Sequence, residues 1–184
     1  MSVPQWADEE LSASLDSWIA EGESVSLEFK GELPDQRRKI AQEIAAMATS
    51  GGGSILMGVS DEGDVVGLPL ADGGARDDYF EQIQGIVDTV RPSVAADLQY
   101  GVTQSQTILI ISIPKQSDPV FYVEHRPYIR DGRRSRPARP EEVVASVWAH
   151  PSSEHKREME RIHERQMANI VDGGQRARDS YLQR

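Results

Sequence analysis

The sequence predicts an α+β fold, a mixed β-sheet with flanking helices, and three observations predict it. Segments of helical and of strand periodicity alternate as far as Arg91-Pro92. Beyond that point strands cluster, two of them separated by a short turn. The most apolar of them, "QTILIISI" at 106–113, reads as a central strand.

A first helix spans Asp8 to Ala20, with Leu11, Leu15, Trp18 and Ile19 at helical spacing and Gly22 at its end. In "ESVSLEFK", Val25, Leu27 and Phe29 alternate with Ser24, Ser26, Glu28 and Lys30. A strand over 23–30 then turns one face to a core and a polar ladder of Ser, Ser, Glu and Lys away from it. Pro34 interrupts the chain, and a second helix over 35–48 carries Ile40, Ile44 and Met47 on one face. "TSGGGS" closes that helix, "SILMGV" at 54–59 is a buried strand, and the "SDEGD" turn returns "VVGL" as its hairpin partner. A third helix over 76–90 carries Tyr79, Phe80, Ile83, Ile86, Val87 and Val90 and stops at Arg91-Pro92. Strands over 94–102 and 106–113 follow, then two short extended pieces, "PVFYV" and "PYIR". Pro140 opens the helix "RPEEVVASVWAH". From Ser152 the chain is highly charged, with Met159, Ile162, Gln166 and Ile170 in line, which predicts a projecting helix or protein-partner arm over 153–171. The chain divides into an N-terminal helix packed on the core (1–21), a main domain (22–150) and a charged helical tail (151–184).

With 184 residues the chain can bury roughly 70% of its unfolded surface without staples. It has no Cys, which excludes a disulfide framework and a thiolate zinc site and suits a cytoplasmic protein. No apolar run approaches bilayer length, and the N-terminus lacks the basic start and apolar stretch of a signal peptide, so no membrane role is expected. The net charge of −10 argues against a polyanionic partner, but the charge is unevenly spread. Residues 1–35 hold nine acids and one lysine, whereas residues 126–140 hold six arginines against Asp131. That basic segment nominates Arg130, Arg133, Arg134, Arg136 and Arg139 as nucleic-acid phosphate contacts, the competing reading being a solvated loop. Tyr122 and Tyr128 nearby could stack on bases or sit in the core.

Gly51-Gly52-Gly53 lies between a helix and a strand, the reverse of the order a phosphate loop needs, and no G-x-x-x-x-G-K-[ST] occurs, so no ATP site is expected. The four histidines show no metal-ligand spacing, and acyl-enzyme chemistry has neither a G-x-S-x-G nor a cysteine. The carboxylates remain. Glu28 shares a strand face with Lys30, and Glu23, five residues earlier, meets it only if the chain bends between helix and strand. Asp61 follows the buried strand and comes close if the two strands are neighbours. Three converging carboxylates repel one another unless a cation such as Mg²⁺ or Mn²⁺ neutralises them, and such an ion activates water or clamps a phosphate. The plain alternative is that Glu23, Glu28 and Asp61 are three surface acids among thirty.

Taken in order, "ESVSLEFK", "IAQEIAAMATSGGGSILMGVSDEGDVVGL" and "PYIRDGRRSRPARPEEV" resemble the Schlafen-type AlbA-like domain over residues 20–148. Two departures are visible: Thr49-Ser50 stands where that family usually has Asn-Thr, and the glycine run is one residue longer. The resemblance implies an AlbA-like Schlafen core and offers two functions. The first is a divalent-metal-dependent endonuclease acting on tRNA- or rRNA-like RNA, or on single-stranded nucleic acid, in stress response or phage defence. Glu23, Glu28 and Asp61 would then hold Mg²⁺ or Mn²⁺, and Lys30 would position the attacking water. The second is a non-catalytic DNA- or RNA-binding regulatory module whose charged C-terminal helix binds a partner. The resemblance also implies two such units facing each other around the nucleic acid, hence a homodimer, with RNA expected ahead of DNA.

Overall fold

The computed structural model describes residues 3–70 and 72–149, together with Glu158, Arg161, His163 and Arg165. Its helices are α1 (Glu9–Glu21), α2 (Arg38–Thr49), α3 (Gly73–Val87) and α4 (Pro140–Ala149). Its strands are β1 (Leu27–Lys30), β2 (Gly53–Met57), β3 (Asp97–Thr103), β4 (Gln106–Ile113), β5 (Tyr122–Val123), β6 (Arg126–Asp131) and β7 (Arg134–Pro137). β1, β2, β4 and β3 lie side by side in that order, β1 parallel to β2 and the other pairs antiparallel. β5, β6 and β7 form a small antiparallel sheet. The fold is α+β with a mixed sheet, as the sequence predicts.

The period of two along β2 and β4 divides their side chains between two layers. Ile55, Met57, Leu109, Ile111 and Ile113 face α2 and α3, where they meet Ile40, Ile44, Met47, Ile83 and Val87. Leu56, Ile108 and Ile110 face α1 and gather around Leu15 with Leu27, Phe29 and Val59. Burial on both faces is why these strands read as continuous apolar runs. Asp8 caps α1 by accepting the Leu11 N–H at 2.8 Å, and Asp72 caps α3 by accepting the Ala75 N–H at 2.9 Å.

The same parity corrects the reading of the first strand. Leu27 and Phe29 point to the α1 layer, so Glu28 and Lys30 point towards α2 and the small sheet, not to solvent, and Glu28 is only 5% exposed. The strand is also shorter than 23–30, because the chain before Leu27 folds back on its outer edge. The Ser24 N–H donates to Leu27 O at 2.9 Å, and the Phe29 N–H donates to the Glu23 carboxylate at 3.1 Å. At the opposite edge α1 lies against β3. The Val102 N–H donates to Ser12 Oγ at 2.9 Å, the Asp8 N–H donates to Tyr100 O at 2.7 Å, and Thr103 donates to the Asp16 carboxylate.

"VVGL" does not pair as a strand. A single bridge joins Val59 to Val65, after which the Val66 and Gly67 N–H groups both donate to Gly58 O. At the end of α2 the Gly52 N–H donates to Met47 O at 2.8 Å. Gly52 has φ +102°, and a Cβ there would stand 2.6 Å from Ile113 O, so glycine is required by both backbone and space. β7 was not predicted, because "RSRP" lacks strand composition; the two-residue turn Gly132-Arg133, with Gly132 at φ +61°, forces its pairing with β6. Tyr128 is buried in the larger core cluster, which removes it from base stacking. No helix of the described residues is long and apolar enough to cross a membrane. Apart from the four helical residues named above, the predicted arm at 153–171 lies outside the described residues.

Candidate nucleic-acid interface

Glu28 belongs to a buried ion cluster in which four elements meet. Arg130 enters from β6, its own N–H fixed on Ser50 Oγ at 2.9 Å. Its Nη1 donates to Glu28 Oε2 at 2.9 Å, to Glu43 Oε2 at 2.8 Å and to Ser135 Oγ at 3.3 Å. Its Nη2 donates to Ser24 O at 2.7 Å and its Nε to Val25 O at 3.3 Å, and the side chain is 0% exposed. Lys30 Nζ binds the other oxygen of Glu28 and also donates to Phe29 O at 2.8 Å. The Ser135 hydroxyl donates to Glu43. Two carboxylates and two cations thus balance, the condition under which buried charges are tolerated. Burial raises the Glu43 pKa, and the Glu28 charge adds to the rise; the Ser135 hydrogen bond and the Arg130 and Lys30 charges oppose it.

This arrangement bears directly on the metal expectation. Glu23 does meet the bend it requires, but its carboxylate accepts a backbone N–H at the β1 edge. Both oxygens of Glu28 are taken by cations, and Lys30, the expected water-positioning group, is one of them. Asp61 is exposed in a tight turn closed by Ser60 N–H to Asp64 O and Gly63 N–H to Ser60 O, each at 2.9 Å. Among the described residues no three His, Asp or Glu side chains are grouped so as to hold a metal ion. The residues present therefore do not fit Mg²⁺ or Mn²⁺ in this arrangement.

The arginine segment divides in two. Arg130 is a correction: it points inward and is saturated by protein acceptors, so it is no phosphate contact. Arg136 is another, forked onto Glu142 at 2.8 and 2.7 Å and bonded to Asp131 at 2.8 Å. Those bonds raise the Arg136 pKa, and the Arg136 fork and the Arg139 N–H hold Glu142 down at about 2. Arg133, Arg134 and Arg139 are exposed. Arg133 and Arg134 occupy the tip of the β6–β7 hairpin, three and four residues beyond the buried Arg130 anchor.

Glu43 and Ser135 were not singled out from sequence. Glu43 left a signal: it stands within the Ile40, Ile44, Met47 stripe of α2, where a carboxylate has no place unless it is paired. Ser135 left none.

A crystal structure of the DIP2311 protein from Corynebacterium diphtheriae is similar in fold, with a TM-score of 0.53 and 24% identity over 77% of this chain. The chain spans 29% of that protein's length. The N-terminal domain of a RecG-related protein from Nitrosomonas europaea gives a TM-score of 0.38 at 21% identity, covering 56% of this chain and 72% of that one. No curated protein matches the chain. The Schlafen AlbA_2 family model matches residues 23–139, more than half of the chain, and the protein belongs to that family, which ties it to a nucleic-acid-related function.

Proposed function

We propose that this protein binds nucleic acid, RNA ahead of DNA, through phosphate contacts made by the β6–β7 turn. The observation that carries the reading is the exposure of Arg133 and Arg134 at the tip of a hairpin whose base is fixed by the buried Arg130 cluster. Cations on a rigid mount suit backbone contact, which sets register and affinity without reading bases. Arg139, exposed just beyond β7, is a further candidate contact. The non-catalytic reading stands ahead of the endonuclease, because cleavage through Glu23, Glu28 and Asp61 requires Glu28 to leave both Lys30 and Arg130. A homodimer flanking one strand belongs to the same proposal, and light scattering of the complex should give two chains per strand.

The test is titration of fluorescent single-stranded RNA and DNA across a salt series, with and without EDTA. Binding should weaken as salt rises and ignore EDTA. Arg133→Ala with Arg134→Ala should lower the slope of log K against log salt by about 1.4, at ~0.7 per contact on a single strand. Absence of binding even at low salt defeats the reading. Mn²⁺-dependent RNA cleavage that disappears in Glu28→Gln would put the endonuclease in its place.

A further inference from the structure

α1 covers only part of the sheet face it lies on. Side chains of paired residues form rows across β1, β2, β4 and β3 on that face. The row of Phe29, Leu56 and Ile110 is closed over by Leu15 and its neighbours. In the next row stand Leu27, Ser54, Ser112 and Asp97, one from each strand, and at that end of the sheet α1 stops at Glu21. Leu27 is still buried, but Ser54 and Ser112 are half-buried and Asp97 is exposed. These three residues line a groove of about 830 Å³, which Trp18 of α1 and the Gly51–Gly53 turn also border. Among the described residues, no hydrogen bond or ion pair engages the Ser54 hydroxyl, the Ser112 hydroxyl or the Asp97 carboxylate.

An indole, two small hydroxyls and a free carboxylate in one concavity suit a planar, hydroxyl-bearing ligand. They do not suit a bare phosphate, which Asp97 and Glu21 repel and for which Lys115 is the one cation among the described lining residues. A nucleoside unit meets each group: its base stacks on an aromatic ring, and its 2′-OH, donor and acceptor at once, donates to a carboxylate and accepts from a hydroxyl. The groove also adjoins the arginine hairpin. Ser24 and Ser26 line it, while Ser24 O and Val25 O accept hydrogen bonds from Arg130. Arg133 follows Arg130 by three residues, at most ~11 Å of chain, so a strand of a few nucleotides reaches both places. We propose that the groove takes one ribonucleotide of the RNA held by the β6–β7 turn, with its base against Trp18 and its 2′-OH between Asp97 and Ser112. The site thereby sets the preference for RNA over DNA. This assignment rests on the proposed binding of RNA through the β6–β7 turn.

The test compares a short oligoadenylate with its 2′-deoxy counterpart on the full-length chain. The sequence has three tryptophans, so Trp6→Phe with Trp148→Phe leaves Trp18 as the sole indole reporter. Oligoadenylate should quench Trp18 emission and bind roughly tenfold more tightly than the deoxy strand, the loss expected when a charged acceptor is left without its donor. Asp97→Ala with Ser112→Ala should bring the two affinities together; their ratio cancels the general gain from removing an acid. Arg133→Ala with Arg134→Ala should instead weaken both strands and keep the ratio. RNA binding that depends on Arg133 and Arg134 but leaves Trp18 emission unchanged, or keeps its preference over DNA in Asp97→Ala with Ser112→Ala, would overturn the groove assignment alone. Equal affinity of the unaltered chain for both strands would overturn it as well. Absence of RNA binding at low salt would overturn the assignment together with the reading on which it rests.

Discussion

Replacing Arg130 with methionine keeps most of the side-chain length and removes the charge. The guanidinium makes five hydrogen bonds to protein and has no exposed surface. Without it, Glu28 and Glu43 face each other with Lys30 as the remaining countercharge, at the partly exposed side of the cluster. Breaking a buried ion pair by removing one partner costs about 3–5 kcal/mol. In a domain of this size each kcal/mol moves Tm by about 2–4 °C, so the variant should melt roughly 6–20 °C lower. Urea unfolding followed by tryptophan fluorescence, together with calorimetry, measures the loss. Adding Glu28→Leu and Glu43→Leu should restore much of it, since an apolar replacement of a whole charge cluster is often close to neutral.

The loss should also depend on pH. Burial already raises Glu43 above its ordinary 4.5, and removal of Arg130 takes away one of the charges opposing that rise. A carboxyl whose folded pKa is raised favours the fold below its unfolded pKa, and that support is lost as pH rises through the folded value. The deficit of the variant should therefore be smallest at or below pH 4.5 and grow towards neutrality. A loss of under about 1 kcal/mol at pH 7, accompanied by a large fall in RNA affinity, would show that Arg130 serves phosphate and would refute the reasoning.

Arg133→Ala with Arg134→Ala should weaken RNA binding while stability stays within about 0.5 kcal/mol, because both residues are exposed. Gly51→Ala and Gly52→Ala both strain a positive φ, but only at Gly52 would the new methyl meet a carbonyl, at 2.6 Å; Gly52→Ala should therefore be clearly the more destabilising in urea titrations. Glu142 has its pKa lowered to about 2, so its hold on α4 is present above pH 4.5 and lost as pH falls towards 2. Backbone order parameters of Val143 to Val147 should drop over that range, and Glu142→Gln should show the same drop at pH 7. Leu15→Ala empties the centre of the α1 layer and should cost about 2–5 kcal/mol in chemical unfolding.

Much of the scaffold was legible because it is written in local periodicity. The α1 and α2 stripes, the β4 run and the Pro140 helix start are set by residues within one element. The period of two in "LEFK" likewise tells which side chains share a face. It does not tell what covers that face, and the cover over Glu28 comes from α2 and from Arg130, far along the chain. Six arginines in one segment look alike as charges, although the Tyr128–Arg130 alternation marks the inward pair, both at 6% exposure. The expected "VVGL" strand failed because Gly58 turns the chain and its carbonyl collects both following N–H groups before a ladder forms.

The hydrogen bonds along the two borders of the main sheet have a consequence for how this protein can meet a partner. A peptide that extends a sheet must find a free row of amide and carbonyl groups on its outermost strand. Here Phe29 N–H and Leu27 O on β1, and Val102 N–H and Tyr100 O on β3, are already engaged by residues of the same chain. Strand addition is discouraged at both ends, and with it the commonest route to sheet-mediated aggregation. On the proposed reading, contact with nucleic acid then falls to side chains that project from the sheet's attachments, the arginine-tipped β6–β7 hairpin among them, where a change of side chain leaves the sheet's hydrogen bonds intact.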